Sequence, residues 1–595
     1  MEARDLSDRL DTVGFETAAV GHGAFSRRAF LRATISGAAA GVIGLPLVLA
    51  ACGSVAPAAP ASSAVGSPAA SAGSGSASAA AGASHGVKLP AYVPLQTAKA
   101  DLPSPTEGID PGYLGYPKKL FKAVPETPGK GGTVTAMTWL TTAPPAAADQ
   151  NPAWQAVNKG LGVTMQVTAV PFASYNTRFA TMMAGGDIPD LFLIPLVVGA
   201  GGVPGLPEFL KTACTDLTPY LSGDAVKAYP NIANFPTLPW KTAIYNNAIY
   251  AVPLPIAPIG YDEWLNQTRL DAIGAKHPTT AAELKKLLQD LTNPNKGQWG
   301  TTAFSGTAYG AGGLMYMGMF GGPNVWRLES DGKFTKDLET PAAKEAAAYV
   351  RDLVAAGVFD PGTNTYNILT AGDAFGSGKA ALFGAGWPGY QRFWDQGLAA
   401  KPPMAVRSLL PFGADGGKGV YMLGVSNFGV IAMKKASESR VKELLSIINY
   451  LASPFGSEES LLLDYGVQRT DHNLDAKGNP VLTNKGKSDV AVPWSFIGRR
   501  PPVLYDPTSP DFAKVAQQDE QGMLPAGIQD PTLGLYSPTW VKKGPVINKA
   551  FVDGLNLIVS GQQPISQYDQ LVKDWQSGGG NQIKQEYAQA LAATK

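Results

Sequence analysis

Histidine and cysteine are nearly missing from this chain: its 595 residues include four His and two Cys. That leaves little material for a metal cluster or a disulfide framework, and neither a metal nor a cofactor is expected. His22 and His85 fall in the N-terminal region, so His277 and His472 are what remains for catalysis. No H-E-x-x-H, paired C-x-x-C or Walker loop occurs. Charge is scarce too, at 16% of residues against roughly 25% in an average soluble protein. The 48 basic and 47 acidic groups cancel. A polyanion binder would show a basic excess in such totals, so nucleic acid is not an expected partner. The apolar stretch 33–51 carries Thr34, Ser36, three glycines and Pro46, which makes it a poor permanent membrane helix. Gly (68) and Pro (48) are abundant and point to turns and loops rather than a helical bundle. Eleven Trp, 21 Tyr and 22 Phe supply core and also flat surface for a ligand. A chain this long exceeds one ordinary core, so two or more lobes are expected.

Residues 1–51 read as an address. Ser26-Arg27-Arg28-Ala29-Phe30-Leu31-Arg32 precedes the weakly apolar stretch, as in a cleaved export signal of the twin-arginine type, with Arg27 and Arg28 as the signal pair. Leu49-Ala50-Ala51-Cys52 resembles the lipobox of bacterial lipoproteins. That resemblance implies cleavage before Cys52 and diacylation of its thiol, with an uncleaved transmembrane anchor as the alternative. Removing residues 1–51 takes away five basic and five acidic groups, so the charge balance is unchanged. Residues 53–86 contain only Ala, Ser, Gly and Pro apart from Val55, Val65 and His85. Such a segment cannot bury enough apolar area to offset its ordering entropy. Residues 52–87 therefore read as a tether, spanning roughly 30–35 Å as a coil. Gly82-Ala83-Ser84-His85-Gly86 matches the G-x-S-x-G elbow but lies in this tether, whereas that motif needs a strained strand-to-helix turn. Cys214 is then the one thiol of the folded part.

From about Gly132 strands and helices alternate. Residues 133–139 read as a strand, 151–159 as a helix and 163–169 as a strand with clean period two. A helix over 172–184 stops at Gly185-Gly186, and Leu191-Phe192-Leu193-Ile194 suits a strand buried on both faces. This β-α-β-α-β series predicts a parallel sheet wrapped by helices, an α/β fold. Thr280 and Glu283 form a capping box before the stripe Leu284, Leu287, Leu288 and Leu291. Thr340 caps a helix with Pro341 at its first position, and Val441, Leu444, Leu445, Ile448 and Leu451 repeat the stripe. These faces build scaffold and do no chemistry.

Several stretches, taken in order, resemble the extracellular solute-binding proteins of ABC importers, the family that includes maltose-binding and aldouronate-type lipoprotein receptors. They are NTRFATMMAGGDIPD (176–190), WKTAIYNNAIYAVP (240–253), WLNQTRLDAIGAKHPTT (264–280), GGPNVWRLESDGKFT (321–335), GKAALFGAGW (378–387), residues 441–465 and WQSGGGNQIKQEY (575–587). In the third, Asn266 and Thr268 depart from the family's usual Arg and Asp. The resemblance covers about 130–595. It implies a two-lobed periplasmic-binding-protein-like fold of type II, each lobe a mainly parallel sheet flanked by helices, with a hinge between the lobes. The lobes would be shared as 88–255 and 418–490 for the first, 256–417 and 491–595 for the second. It further implies capture of an extracellular carbohydrate, most simply an oligosaccharide, by a monomer held at the outer face of the cytoplasmic membrane. Delivery would be to ABC permease subunits.

Sugar rings have apolar C–H faces and hydroxyl edges, which suit aromatic faces and a few polar side chains at the carboxyl ends of strands. Trp139 ends the first strand, and Trp387 stands at a family position that stacks on sugar in maltose-type receptors, with Tyr390 one turn beyond. Trp540 resembles another such aromatic, while Tyr261, Glu263 and Trp264 follow the first crossing between lobes. For each Trp, ordinary core packing is the alternative. Asp471-x-Asn473-x-Asp475 begins like a calcium loop, but Ala476 and Leu482 stand where its glycine and glutamate belong. Two other functions stay open: a secreted glycan-active hydrolase, which needs two carboxylates across a cleft, and a receptor that presents its ligand to a membrane sensor.

Overall fold

The sheet of the first lobe opens with four strands, β1 (Thr133–Leu140), β2 (Thr164–Pro171), β3 (Leu191–Pro195) and β4 (Ala251–Pro255). The chain then crosses and lays down β5 (Tyr261–Asn266), β6 (Trp299–Thr301), β7 (Ala380–Gly386) and β8 (Val406–Ser408). It returns for β9 (Asn427–Met433). The computed structural model describes residues 87–95, 98–195, 203–245, 247–305, 307 and 314–593. The expected export signal with Arg27 and Arg28, the lipidation residue Cys52 and the tether up to residue 86 lie outside the described residues.

The first sheet has the order β2-β1-β3-β9-β4. β1 runs parallel to β2 and β3, whereas β9 runs antiparallel to both of its neighbours. The second sheet, β8-β5-β7-β6, has one parallel pair, β7 with β6. Both sheets are thus mixed, not mainly parallel. In the first sheet the departure has a topological cause: β9 belongs to the chain's return from the second lobe and enters against both β3 and β4. Position within the sheet explains composition. β3 is central and its five residues are all buried apolar or Pro, whereas edge strand β2 alternates Met165, Val167 and Ala169 with Gln166 and Thr168.

Helices close the faces. In α1 (Pro152–Leu161) Asn151 accepts from the Trp154 N–H at 2.9 Å, and α2 (Tyr175–Gly185) buries Tyr175, Phe179 and Met182. α3 (Ala281–Asp290) is capped by Thr280, whose hydroxyl accepts from the Glu283 N–H at 3.1 Å. The Glu283 carboxylate reaches back to the Thr279 N–H at 2.8 Å, one residue earlier than a standard capping box. α4 (Pro341–Ala355), α5 (Tyr390–Ala399), α7 (Pro510–Met523), α8 (Pro538–Val559), α9 (Tyr568–Trp575) and α10 (Asn581–Ala592) surround the second sheet, and α6 (Glu438–Leu451) packs on the first. Separate cores result. One gathers Val134, Trp139, Phe192 and Leu444, with Val492, Trp494 and Ile497 contributing beyond residue 490. Others gather around Leu284, Trp326 and Trp540, and around Trp264, Tyr390 and Phe512.

Two crossing segments, 256–260 and 423–426, touch where they pass. Ile259 pairs with Leu423, and the Gly424 N–H donates to Pro258 O at 2.7 Å. A Cβ on Gly260 would lie 2.7 Å from Gly424 Cα, and one on Gly424 would lie 2.7 Å from Gly260 Cα, so neither position admits a side chain. An N-terminal strap also spans the lobes. Its Val93 N–H donates to Ala233 O at 2.8 Å in the first lobe. Its Asp110 N–H donates to Glu520 Oε2 at 2.7 Å on α7, and its Tyr116 N–H returns to Asn479 Oδ1 at 2.9 Å.

Candidate functional site

Strand β5 begins at the crossing, and its alternation sorts the expected ligand residues onto two faces. Tyr261 and Glu263 point to one side, where they line a cavity of about 30 Å³ with Tyr421, Met315, Leu410 and Phe412. The Tyr261 hydroxyl is buried with no hydrogen-bond partner among the described residues, while its carbonyl accepts from the Tyr421 hydroxyl. Burial alone pushes the Glu263 carboxyl up to about 8. Glu263 can take this position because Gly384 faces it across the sheet: a Cβ there would sit 2.4 Å from both carboxylate oxygens.

Asp262 and Trp264 point to the opposite face. The Ser408 hydroxyl donates to Asp262 Oδ2 at 2.5 Å, and the Glu263 N–H to Oδ1 at 2.8 Å. Burial raises Asp262 well above the usual carboxylate range, against the pull of the Ser408 hydrogen bond. Nearby, the Tyr390 hydroxyl donates to Asp519 Oδ2 at 2.8 Å, and burial brings Asp519 to about 6. Tyr390 also stacks on Trp264, with centroids 5.7 Å apart and planes at 20°. Trp387, in the turn that follows β7, tilts against the same Tyr390 at 5.1 Å.

The structure therefore brings Tyr261 and Glu263 to one cavity, and Trp264, Tyr390 and Trp387 to one aromatic stack. Trp264 has no exposed face and its indole N–H has no partner among the described residues, so here it is a packing residue. Trp540 lies apart from both groups, edge-on to Trp326 at 6.0 Å in the helical core around α8, and is placed there by packing. Trp139 is buried in the first lobe, edge-on to Phe172 at 5.1 Å, Tyr175 at 5.7 Å and Phe496 at 5.4 Å. The ring that reaches the surface at that strand end is Phe172, at 41% exposure.

Sequence reasoning missed Phe172, Tyr421 and Arg499. Phe172 directly follows β2, so the strand-end rule applied to Trp139 would have found it. The Arg499 guanidinium lies 4.8 Å over Phe428 and donates through Nε to Pro255 O at 3.1 Å; burial lowers it to about 10. Nothing in the sequence near residue 499 signals that contact. Among the described residues no group of three or more His, Cys, Asp and Glu side chains is placed to hold a metal ion. Asp475 accepts from the Lys477 and Asn479 N–H groups at 2.8 Å each and so closes its own turn.

Two lobes joined by paired crossings, with aromatic rings and carboxyl groups gathered at the second lobe's strand ends, define a solute-binding clamp. The family model described as bacterial extracellular solute-binding protein matches residues 153–466, and the chain belongs to that family. It is 23% identical over 492 residues to the polygalacturonan/rhamnogalacturonan-binding protein YtcQ of Bacillus subtilis (strain 168), covering 78% of this chain and 94% of that one. Lipoprotein LipO of the same organism is 21% identical, again over 78% of this chain and 94% of that one. Among solved structures, the alginate-binding protein AlgQ2 superposes with a TM-score of 0.55 at 14% identity, covering 80% of this chain and all (100%) of that one. The S.pneumoniae ABC-transporter substrate binding protein FusA in complex with kestose gives a TM-score of 0.55 at 16% identity, covering 77% of this chain and 99% of that one. These likenesses establish the two-lobed fold.

Proposed function

We propose that this protein captures an extracellular carbohydrate, an oligosaccharide by preference, through closure of its lobes and delivers it to the permease of an ABC importer. The observation that carries this reading is the set of side chains where β5 begins and β7 ends: Tyr261 and Glu263 on one face of the sheet, and Trp387 against Tyr390 on the other. Aromatic faces accept the C–H side of a pyranose, and the Tyr261 hydroxyl and the Glu263 carboxyl retain hydrogen-bonding capacity for its hydroxyl edge. Trp139 acts through Phe172, which it backs, and the pair supplies a ring from the first lobe. Closure is worth the difference in ligand affinity between closed and open forms, and the paired crossings supply the hinge.

The chain works as a binding protein and not as a hydrolase. Asp262 and Glu263 are neighbours on opposite faces of one strand and do not oppose each other across a cleft. Cleavage before Cys52, its acylation and export through Arg27 and Arg28 place the protein at the outer face of the cytoplasmic membrane as a tethered monomer. A thermal-shift screen against mono- and oligosaccharides tests the reading. Ligand at 100 times its Kd adds about 2.7 kcal/mol, a shift of a few degrees in a protein of this size. One saccharide class should raise the midpoint without being consumed. Consumption of the sugar would make the protein an enzyme, and no shift across the panel would remove carbohydrate as its ligand.

A further inference from the structure

Both crossings meet the first sheet at one edge: 256–260 continues from the end of β4, and 423–426 leads into the start of β9. Along that edge runs a row of side chains in contact. Phe172 follows the end of β2, and its ring meets Trp139, near the end of β1, at 5.1 Å. Trp139 meets Phe496 at 5.4 Å, and Phe496 meets Phe428, at the start of β9, at 5.8 Å. The Arg499 guanidinium completes the row, 4.8 Å over the Phe428 ring and tied through Nε to Pro255 O at the end of β4. Four of the five strands thus contribute to one surface beside the crossings. Phe172 is exposed on it, and Phe428, Phe496 and Arg499 are partly exposed.

Arg499 is the charged member of this row. Its neighbour Arg500 is paired with Asp464 at 3.0 Å, whereas Arg499 forms no ion pair among the described residues. Asp464 and Asp110 favour its charge from a distance. With Nε engaged, the two Nη groups form an open fork. They have no hydrogen-bond partner among the described residues, and neither is a buried atom, so solvent reaches both. Arg499 also lines a pocket of about 390 Å³ with Arg500, Asp464 and Ser495. Two guanidiniums against one carboxylate leave that wall one positive charge in excess. A guanidinium fork takes a carboxylate through two parallel hydrogen bonds, and the stack on Phe428 fixes the plane of this one.

We propose that Arg499 is the specificity-determining contact of the first lobe and takes a carboxylate of the solute, which is therefore an acidic saccharide carrying a uronate unit. The Phe428 and Phe496 rings beside it suit the C–H face of the same sugar ring. In the second lobe, burial brings the Glu263 carboxyl to about 8, so at pH 7 it is mainly neutral and does not oppose an anion. The proposal rests on the carbohydrate-clamp reading above and narrows its ligand class.

Isothermal titration calorimetry of the full chain at pH 7 tests it. The probes are trisaccharides of galacturonate and of mannuronate, each beside the same trisaccharide carboxyl-reduced to its neutral hexose form. One uronate trisaccharide should bind at least tenfold more tightly than its reduced form. Arg499→Gln removes the charge and the fork, and should weaken uronate binding at least tenfold while leaving the reduced form within twofold. Circular dichroism checks that the variant folds, and the preference of the parent protein tests the proposal without it. Equal binding of the two forms, or tighter binding of the reduced one, overturns the proposal and leaves the clamp reading standing. A loss in Arg499→Gln that is the same for both forms also overturns it, and makes Arg499 a packing residue. Binding of no trisaccharide overturns it as well, and the thermal-shift panel of neutral sugars then decides the clamp reading by itself.

Discussion

Glu263→Gln exchanges a buried carboxyl for a neutral amide of the same shape, and its effect is set by proton linkage. Burial raises the folded carboxyl from the ordinary 4.5 to about 8, with no cation to offset it. The folded state therefore holds a proton that the unfolded state releases between those values. The stabilisation is fully present below about pH 4.5 and is lost as pH rises through about 8. At 1.36 kcal/mol per unit the difference could reach about 5 kcal/mol, and about 2 kcal/mol is expected once the half-buried side chain is allowed its remaining contact with water. Other buried carboxyls titrate across the same window, Asp519 near 6 and Asp110 near 7. The informative quantity is therefore the difference between variant and parent. Urea midpoints should agree within error at pH 3.5, and the variant should be the more stable by about 2 kcal/mol at pH 8.5. Parallel pH profiles for the two proteins would refute the reasoning, because Glu263 would then have to find a partner or solvent on folding.

Three further outcomes follow. Gly260→Ala or Gly424→Ala places a methyl against the other crossing's backbone and should cost about 1–3 kcal/mol; an unchanged melting midpoint would mean that the crossings are loosely held. Trp387→Ala should abolish the saccharide-induced thermal shift, whereas Trp540→Ala should lower stability by about 3–5 kcal/mol and leave saccharide affinity unchanged; equal effects on affinity would dissolve the distinction between contact and core. Thr280→Ala should cost about 1 kcal/mol through the lost cap of α3, read from chemical denaturation.

The alternation of β1, α1, β2, α2 and β3 was legible because each element announces itself within a dozen residues, by period, cap or glycine. The place of β9 was not. It pairs with Leu191–Pro195 and Ala251–Pro255 across long stretches of chain, and no local pattern records a distant neighbour. The same limit divides the tryptophans. Trp387 and Trp540 look alike as letters, but one lies on Tyr390 at a strand end and the other on Trp326 under helices. Tyr261 and Glu263 could be picked out by their position just after a crossing. That the Glu263 carboxyl has room at this position depends on Gly384, opposite it in a strand well over a hundred positions later, and so could be learned only from the fold.

The insertion of β9 between β3 and β4 also sets an order of events. Until Asn427–Met433 exists, β3 and β4 have no partner on the sides that β9 will occupy. About 170 residues separate β4 (Ala251–Pro255) from β9 (Asn427–Met433), roughly 10–35 s of synthesis at 5–20 residues per second. Through that interval the nascent chain presents two open, largely apolar strand edges, the kind that recruit other chains. Completion of the first lobe must wait until the whole of the second lobe's sheet, β5 to β8, has been translated. Truncations between residues 260 and 426 should accordingly yield aggregates and not a smaller folded lobe.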